Sequence, residues 1–150
     1  MKIAIAHSNS TPAALDDPLA LLPGYALRRA ANAMIADLSE RLSHIALRLS
    51  DASVLILVHN RTDVTASEIG RTLDIQRANM VPLLNRLESA GLIERRALDR
   101  KSYAVVLTHA GQGTLAKVDA ITAAFENDLI ARIPAEHREH LLPALNALWR

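Results

Sequence analysis

Between residues 25 and 49, apolar side chains recur at alternating steps of three and four: Leu27, Ala31, Met34 with Ile35, Leu38, Leu42, Ile45 and Leu49. That spacing predicts one apolar stripe on a helix about seven turns long. Arg28, Arg29, Asp37, Glu40, Arg41 and Arg48 fall mostly off the stripe. Ser50 is placed to cap a second helix, with Asp51 near its positive end. The run Val54–Val58 is nearly all apolar, so this helix is expected to be buried on most sides. The polar stretch 59–63 reads as a loop. Thr65-Ala66-Ser67-Glu68 then matches the pattern in which a threonine and a glutamate cap a helix start reciprocally. This short helix turns Ile69 and Leu73 inward. Another begins around Ile75–Gln76 and buries Met80, Leu83, Leu84 and Leu87, with Gly91 as its left-handed stop. Pro82 lies inside it, removes one helical hydrogen bond, and is expected to bend the helix or loosen its first turns.

The period then changes. Residues 93–97 and 101–108 have strand character around a tight Leu98-Asp99-Arg100 turn, with Tyr103, Val105 and Leu107 alternating with Ser102, Ala104 and Val106. Thr108 caps a further helix carrying Leu115, Val118, Thr122, Phe125 and Leu129 on one stripe. Pro134 breaks it. A last helix, 135–149, carries Leu141, Leu142, Leu145, Leu148 and Trp149, with Pro143 placed to kink it. Residues 1–24 lack sustained periodicity and are punctuated by Pro12, Pro18, Pro23 and Gly24, which reads as an N-terminal arm.

The predicted fold class is therefore mainly α with a small β-hairpin wing. A winged helix-turn-helix lobe, about residues 50–108, sits between helices of about 25–49 and 109–149, all within one domain of residues 25–150. The flanking helices exceed what a DNA-reading unit of this size needs. Their spare apolar surface is most simply buried against a second copy, as a two-fold dimer.

Composition narrows the function. Half the residues are apolar, so a real core is possible, and there is no cysteine. Disulfides, thiolate metal sites and thiol redox sensing are excluded, and a reducing cytoplasm is the expected location. No stretch approaches the roughly 18 apolar residues of a membrane span, and the N-terminal apolar run is too short for a signal peptide. Aromatics are only 3%, which argues against stacking platforms for single strands. The net charge is +1, but from Arg95 to Lys101 the cations Arg95, Arg96, Arg100 and Lys101 stand against Asp99 alone. A helix-turn-helix followed by a basic hairpin is a shape for reading duplex DNA.

The pair of segments LLNRLESAGLIERR and DRKSYAVVLTHAG resembles the MarR family of bacterial winged helix-turn-helix regulators, over about residues 25–149. The resemblance implies a homodimer formed by the first and the last two helices, with each wing flanking a recognition helix. In such proteins the recognition helix enters the major groove through its N-terminal half. Here those positions are Gln76, Arg77, Ala78, Asn79, Val81 and Pro82. Arg77 can pair with guanine and Gln76 or Asn79 with adenine, while Ala78, Val81 and Pro82 can touch thymine methyls. The family often has a basic or polar residue where this chain has Pro82. By the same resemblance Arg100 reaches a minor groove, Asp99 braces a nearby arginine, and Arg95 and Lys101 add to the basic hairpin. Thr65, Ser67 and Arg86 are candidates for phosphate contacts, which position without specifying.

The implied function is a sequence-specific regulator of transcription on a palindromic operator, usually a repressor in this family. A small-molecule effector, with an aromatic or lipophilic acid suggested by the resemblance, would release it. Arg28 and Arg29 are candidates to neutralise an effector carboxylate. His44 and His109 fall near the junction where such proteins hold ligands. No metal and no cofactor is expected: His137 and His140 share a helical face, but zinc needs a third ligand and usually a fourth. Nor is an enzyme expected, since there is no nucleophile elbow, no Walker loop, no paired carboxylates with a plausible cleft and no triad order. The competing reading is a winged-helix interaction module with weak or no specific DNA binding, favoured by Pro82 and the small net charge.

Overall fold

The computed structural model describes residues 18–100 and 102–149. Most of the expected arm, and Lys101 of the wing, lie outside the described residues. Two compact units divide between Ala33 and Met34. In the first, a 3-10 turn at Pro18–Leu21 leads into helix α1 (Pro23–Ser43), whose second half belongs to the other unit. Pro23 opens α1, where its missing N–H costs nothing.

The second unit continues with α2 (Leu49–His59), α3 (Ala66–Thr72) and α4 (Arg77–Ser89). The hairpin β1 (Ile93–Ala97) and β2 (Tyr103–Leu107) follows, then α5 (His109–Arg132) and α6 (Arg138–Asn146). The core is a single cluster around α2, and Leu42, Leu55, Ile69, Leu87, Ile93 and Val118 are its most enclosed large side chains. Truncating one of these, such as Leu87→Ala, typically costs about 2–5 kcal/mol.

The first helix ends earlier than its apolar stripe suggests. The backbone reverses at His44–Ala46, with Ala46 at φ 58°. Leu47 N–H donates to the Leu42 carbonyl at 3.2 Å and Ala46 N–H to Ser43 at 2.9 Å. These are the two bonds of a left-handed helix stop, and buried Leu42 and Leu47 supply its usual apolar contact. No glycine marks it, so the stripe runs across two helices. Consequently Arg48, not Ser50, is the N-cap of α2, and Asp51 Oδ2 accepts from Arg48 N–H at 2.9 Å. The same kind of stop recurs at Asp74, φ 50°, and at Gly91, φ 70°. There, Ile75 N–H reaches the Gly70 carbonyl and Leu92 N–H reaches Leu87.

The hairpin pairs antiparallel with Ile93 opposite Leu107 and Ala97 opposite Tyr103. The expected in-out alternation of β2 breaks, because Ala104 and Val105 are both buried. Val105 N–H donates to the Val64 carbonyl at 2.8 Å, and Thr65 bridges Ala104. The segment before α3 therefore acts as a third strand and covers β2 from its other edge.

At the C-terminal end, the last helix is shorter than the expected 135–149: a 3-10 turn at Ala135–His137 precedes α6. None of the α6 side chains is buried, and Leu142 and Leu148 are two-thirds exposed. The end of α1 is clamped to α5 by charge. Arg41 binds Asp37 at 2.7 Å and Asp128 at 2.8 Å, and Arg132 returns to Asp37 at 3.1 Å. The Arg41 guanidinium, helped by Arg132, holds the Asp37 carboxyl below its ordinary value.

Candidate nucleic-acid interface

Thr65 starts the site. Its hydroxyl accepts from Glu68 N–H at 3.4 Å and donates to Glu68 Oε2 at 2.7 Å, and its own N–H donates to the same oxygen at 2.8 Å. This reciprocal cap stabilises α3 by about 1 kcal/mol. The Thr65 backbone donor, reinforced by its hydroxyl, depresses the Glu68 carboxyl. Since Glu68 already takes the Thr65 hydroxyl proton, a phosphate would have to displace that bond.

The turn from α3 to α4 is tight. Gly70 faces the Ile75 carbonyl and Met80, so that a Cβ there would stand 3.1 Å from the carbonyl oxygen. Asp74 takes the left-handed conformation and Gln76 caps α4 from the extended region. The helix runs unbroken through Pro82 from Arg77 to Ser89 and buries Met80, Leu83, Leu84 and Leu87. Gln76, Arg77, Ala78, Asn79, Val81 and Pro82 are all exposed, and Val81 retains 57% of its surface.

Between α3, α4 and the hairpin lies a cleft of about 780 Å³. Of the residues singled out from the sequence, it brings together Thr65, Ser67, Gln76, Arg77, Val81 and Arg95. Asn79 and Pro82 stand on the exposed surface of α4 outside it, and Asp99 and Arg100 stand at the wing tip. Arg71, Asp74, Ser102 and Tyr103 line the cleft as well and escaped the sequence reading. Ser67 and Arg71 are one helical turn apart and share a face, so the choice of Ser67 already pointed to Arg71.

The cations differ in how far they are committed. Arg95 donates to Asn85 at 2.7 Å and lies 3.4 Å from Glu88. Arg96 is tied to Asp63 at 2.6 Å. The Arg86 guanidinium reaches inward, with Nη2 2.5 Å from the buried Asp51 carboxylate, while about a third of its side chain stays exposed. Asp99 accepts from both the N–H and the hydroxyl of Ser102, which tightens the wing turn. Arg71, Arg77 and Arg100 are exposed and make no hydrogen bond or ion pair with another described residue. Arg71 and Arg77 line the cleft and Arg100 stands at the wing tip, and guanidiniums without acceptors among the described residues make this face complementary to a polyanion.

The expected effector residues are not gathered in this way. Arg28 and Arg29 lie over the Tyr25 ring at 5.1 and 5.8 Å. The exposed His44 contacts the Arg41 carbonyl at 3.4 Å, and His109 is exposed at the start of α5. Neither the cleft nor a smaller hollow of about 310 Å³ beside Ser53, Leu57 and Leu73 includes any of the four.

Residues 47–103 match the MarR family model. The span runs from the end of the first helical reversal to the start of the second wing strand, and contains every residue lining the cleft except Val105. A transcriptional repressor, CouR, solved bound to a 23-mer DNA duplex, is 34% identical. That match covers 88% of this chain and 95% of that one, with a TM-score of 0.82. The chain belongs to the MarR family.

CouR bound to p-coumaroyl-CoA is also similar: 32% identical, 91% of this chain and 99% of that one, TM-score 0.81. Among curated relatives, the HTH-type transcriptional regulator TtmR of Methylorubrum extorquens (strain PA1) is 31% identical over 113 residues. That alignment covers 73% of this chain but 55% of TtmR. The two-stranded hairpin beside α4 is the wing, and α3 with α4 is the helix-turn-helix of a winged-helix MarR fold. Among the described residues, no helix is long and apolar enough to cross a membrane.

Proposed function

We propose that this chain is a homodimeric, sequence-specific duplex-DNA-binding regulator of transcription, a repressor released by a small-molecule effector, and not an enzyme. The observation that carries the reading is the set Arg71, Arg77 and Arg100: guanidiniums with no hydrogen-bonding or ion-pair partner among the described residues, on the α3, α4 and wing surface of a fold similar to DNA-bound CouR. Arg77, at the first turn of α4, is placed to read a guanine edge, with Gln76 and Asn79 beside it for adenine. Arg71, Ser67 and Arg100 supply backbone contacts, which fix register. The exposed leucines of α6 support self-association, since surface of this kind is normally covered by a partner. A dimer would present two recognition helices to a palindromic operator with half-sites about one helical turn apart. A regulator that works on chromosomal DNA would act in the cytoplasm.

The effector class suggested by the p-coumaroyl-CoA complex of CouR is an aromatic acid or its thioester. Such a molecule would act by preferring a dimer whose recognition helices no longer match the half-sites. Arg28, Arg29, His44 and His109 remain the candidates to meet it.

The test is fluorescence anisotropy of the protein on the DNA upstream of its own gene, with a random duplex as control, at two salt concentrations. Selective binding that weakens with salt and is reversed by p-coumarate or p-coumaroyl-CoA is expected. Equal, weak binding to both duplexes, and no duplex enriched from a random library, would favour the interaction-module reading instead.

A further inference from the structure

We infer that Asp51 and Arg86 are a positioning pair: an ion bridge, buried on the Asp51 side, sets the recognition helix α4 on α2, and Arg86 acts on DNA through that orientation rather than by touching phosphate. This rests on the DNA-reading function proposed above.

Asp51 is the one charged or polar side chain buried among the described residues, at 2% exposure. It sits in the first turn of α2, where Oδ2 accepts from Arg48 N–H at 2.9 Å. That bond closes the turn and aims the other oxygen, Oδ1, at Arg86 Nη2, 35 residues further along the chain. Arg86 Nε is buried with no acceptor, so Asp51 is the acceptor that holds this guanidinium. Removing Arg86 strands the Asp51 charge where water reaches it poorly, whereas the Arg86 side chain is itself about one-third exposed.

The bridge is placed to control readout. α2 packs against α5, β2 and α4, and so is the element on which the lobe is assembled. On α4, Arg86 shares a flank with Asn79, seven residues earlier, and with Pro82, four earlier. Holding Arg86 therefore fixes the rotation of α4 about its own axis, and with it the direction in which Asn79 and its neighbours face the groove. An interaction that sets rotation acts on the difference between operator and other DNA. It leaves the number of phosphates neutralised unchanged.

The experiment compares the full chain with Arg86→Met, Asp51→Asn, the double variant and Arg86→Lys. The probes are a duplex enriched from a random library by the unaltered protein and an unselected random duplex, titrated by anisotropy at several salt concentrations. Circular dichroism establishes that each variant is folded at the assay temperature. Each single change should lower the preference for the enriched duplex by about tenfold, and the double should be no worse than the poorer single, as expected for one shared interaction. The salt slope should not move. Arg86→Lys keeps a cation opposite Asp51 and should fall between wild type and Arg86→Met; it also serves if the neutral variants fail to fold.

A salt slope lower by about one unit in Arg86→Met, with Asp51→Asn normal, would make Arg86 a phosphate contact and overturn the inference. Unchanged preference in folded variants would reduce the bridge to plain stability and overturn it equally. If the unaltered chain enriches no duplex, the regulator reading falls, and this inference with it.

Discussion

Arg96 Nη2 meets Asp63 Oδ1 at 2.6 Å, joining β1 of the wing to the loop before α3 across 33 residues. Asp63 reaches this position from a left-handed backbone, φ 55°. The pair separates two kinds of wing arginine. Arg96 has a protein acceptor, whereas Arg100 at the tip has none among the described residues. Arg100→Ala is therefore expected to weaken duplex binding and flatten the salt dependence by about one unit. Arg96→Ala is expected to change the slope less, because the cation is already partly neutralised by Asp63. Titration of both variants across a salt series checks this, and equal slopes for both and for wild type would remove the wing-tip contact.

Pro82 tests how far the recognition helix depends on its own hydrogen bonds. α4 continues through this residue, yet proline cannot donate to the Ala78 carbonyl. Alanine there would restore the bond in an exposed helix interior, so Pro82→Ala should stabilise the protein, by up to about 3 kcal/mol on intrinsic propensity alone. Thermal unfolding measures that gain. Enrichment of random duplexes by the variant then asks whether the proline shapes readout. An unaltered sequence preference would mean that the missing hydrogen bond has no part in it.

Acid should weaken the fold through two carboxylates. Asp37 is depressed first by its hydrogen bond from Arg41, and Glu68 first by the Thr65 backbone N–H. Because both folded values lie below the unfolded ones, their contribution is complete above the ordinary carboxylate value of about 4. It is lost as pH falls through the lower folded values. The melting temperature should therefore hold at mildly acidic pH and drop below about pH 4. In Asp37→Asn/Glu68→Gln that drop should be shallower, from a lower starting point at neutral pH. A parallel pH profile would mean that these groups titrate alike in both states.

Much of this architecture was legible in the chain because its signals are local. The Thr65–Glu68 cap, the buried face at Met80, Leu83, Leu84 and Leu87, the Gly91 stop and the Thr108 cap each need only a few adjacent residues, and each stands in the structure. The stop at Ala46 was hidden, since left-handed alanine carries no sequence mark and Leu42 and Leu47 kept the apolar period going across it. The pairing of Val64 and Thr65 with β2 was hidden for a different reason: it joins residues about forty apart, and it buries Ala104 against the alternation. At the site, residue types pointed to the recognition helix and wing, but not to which arginines are already paired. Arg86 resembles Arg77 in sequence; the nearby carboxylate of Asp51 makes the difference.

The junction between wing and α5 gives a final test from two glycines on one turn of helix. Gly111 is buried, and a Cβ on it would lie 1.9 Å from the Leu92 carbonyl oxygen and 2.9 Å from its carbon. Both obstacles are backbone, and Leu92 is held by its own bond to the Leu87 carbonyl and by accepting from Thr108 N–H. The chain cannot yield there without disturbing the end of α4 and the start of α5 together. Gly113, two residues on, faces open space with nothing within 4 Å. Gly111→Ala is expected to destabilise by about 2–4 kcal/mol, as overpacking against a fixed backbone does. Gly113→Ala should instead stabilise, by about 0.5–1 kcal/mol, through helix propensity and a more restricted unfolded chain. Chemical denaturation of both variants gives the two signs side by side. If Gly111→Ala were as stable as wild type, α5 would not be seated on the Leu92 backbone, and the wing would have lost the contact that fixes its base.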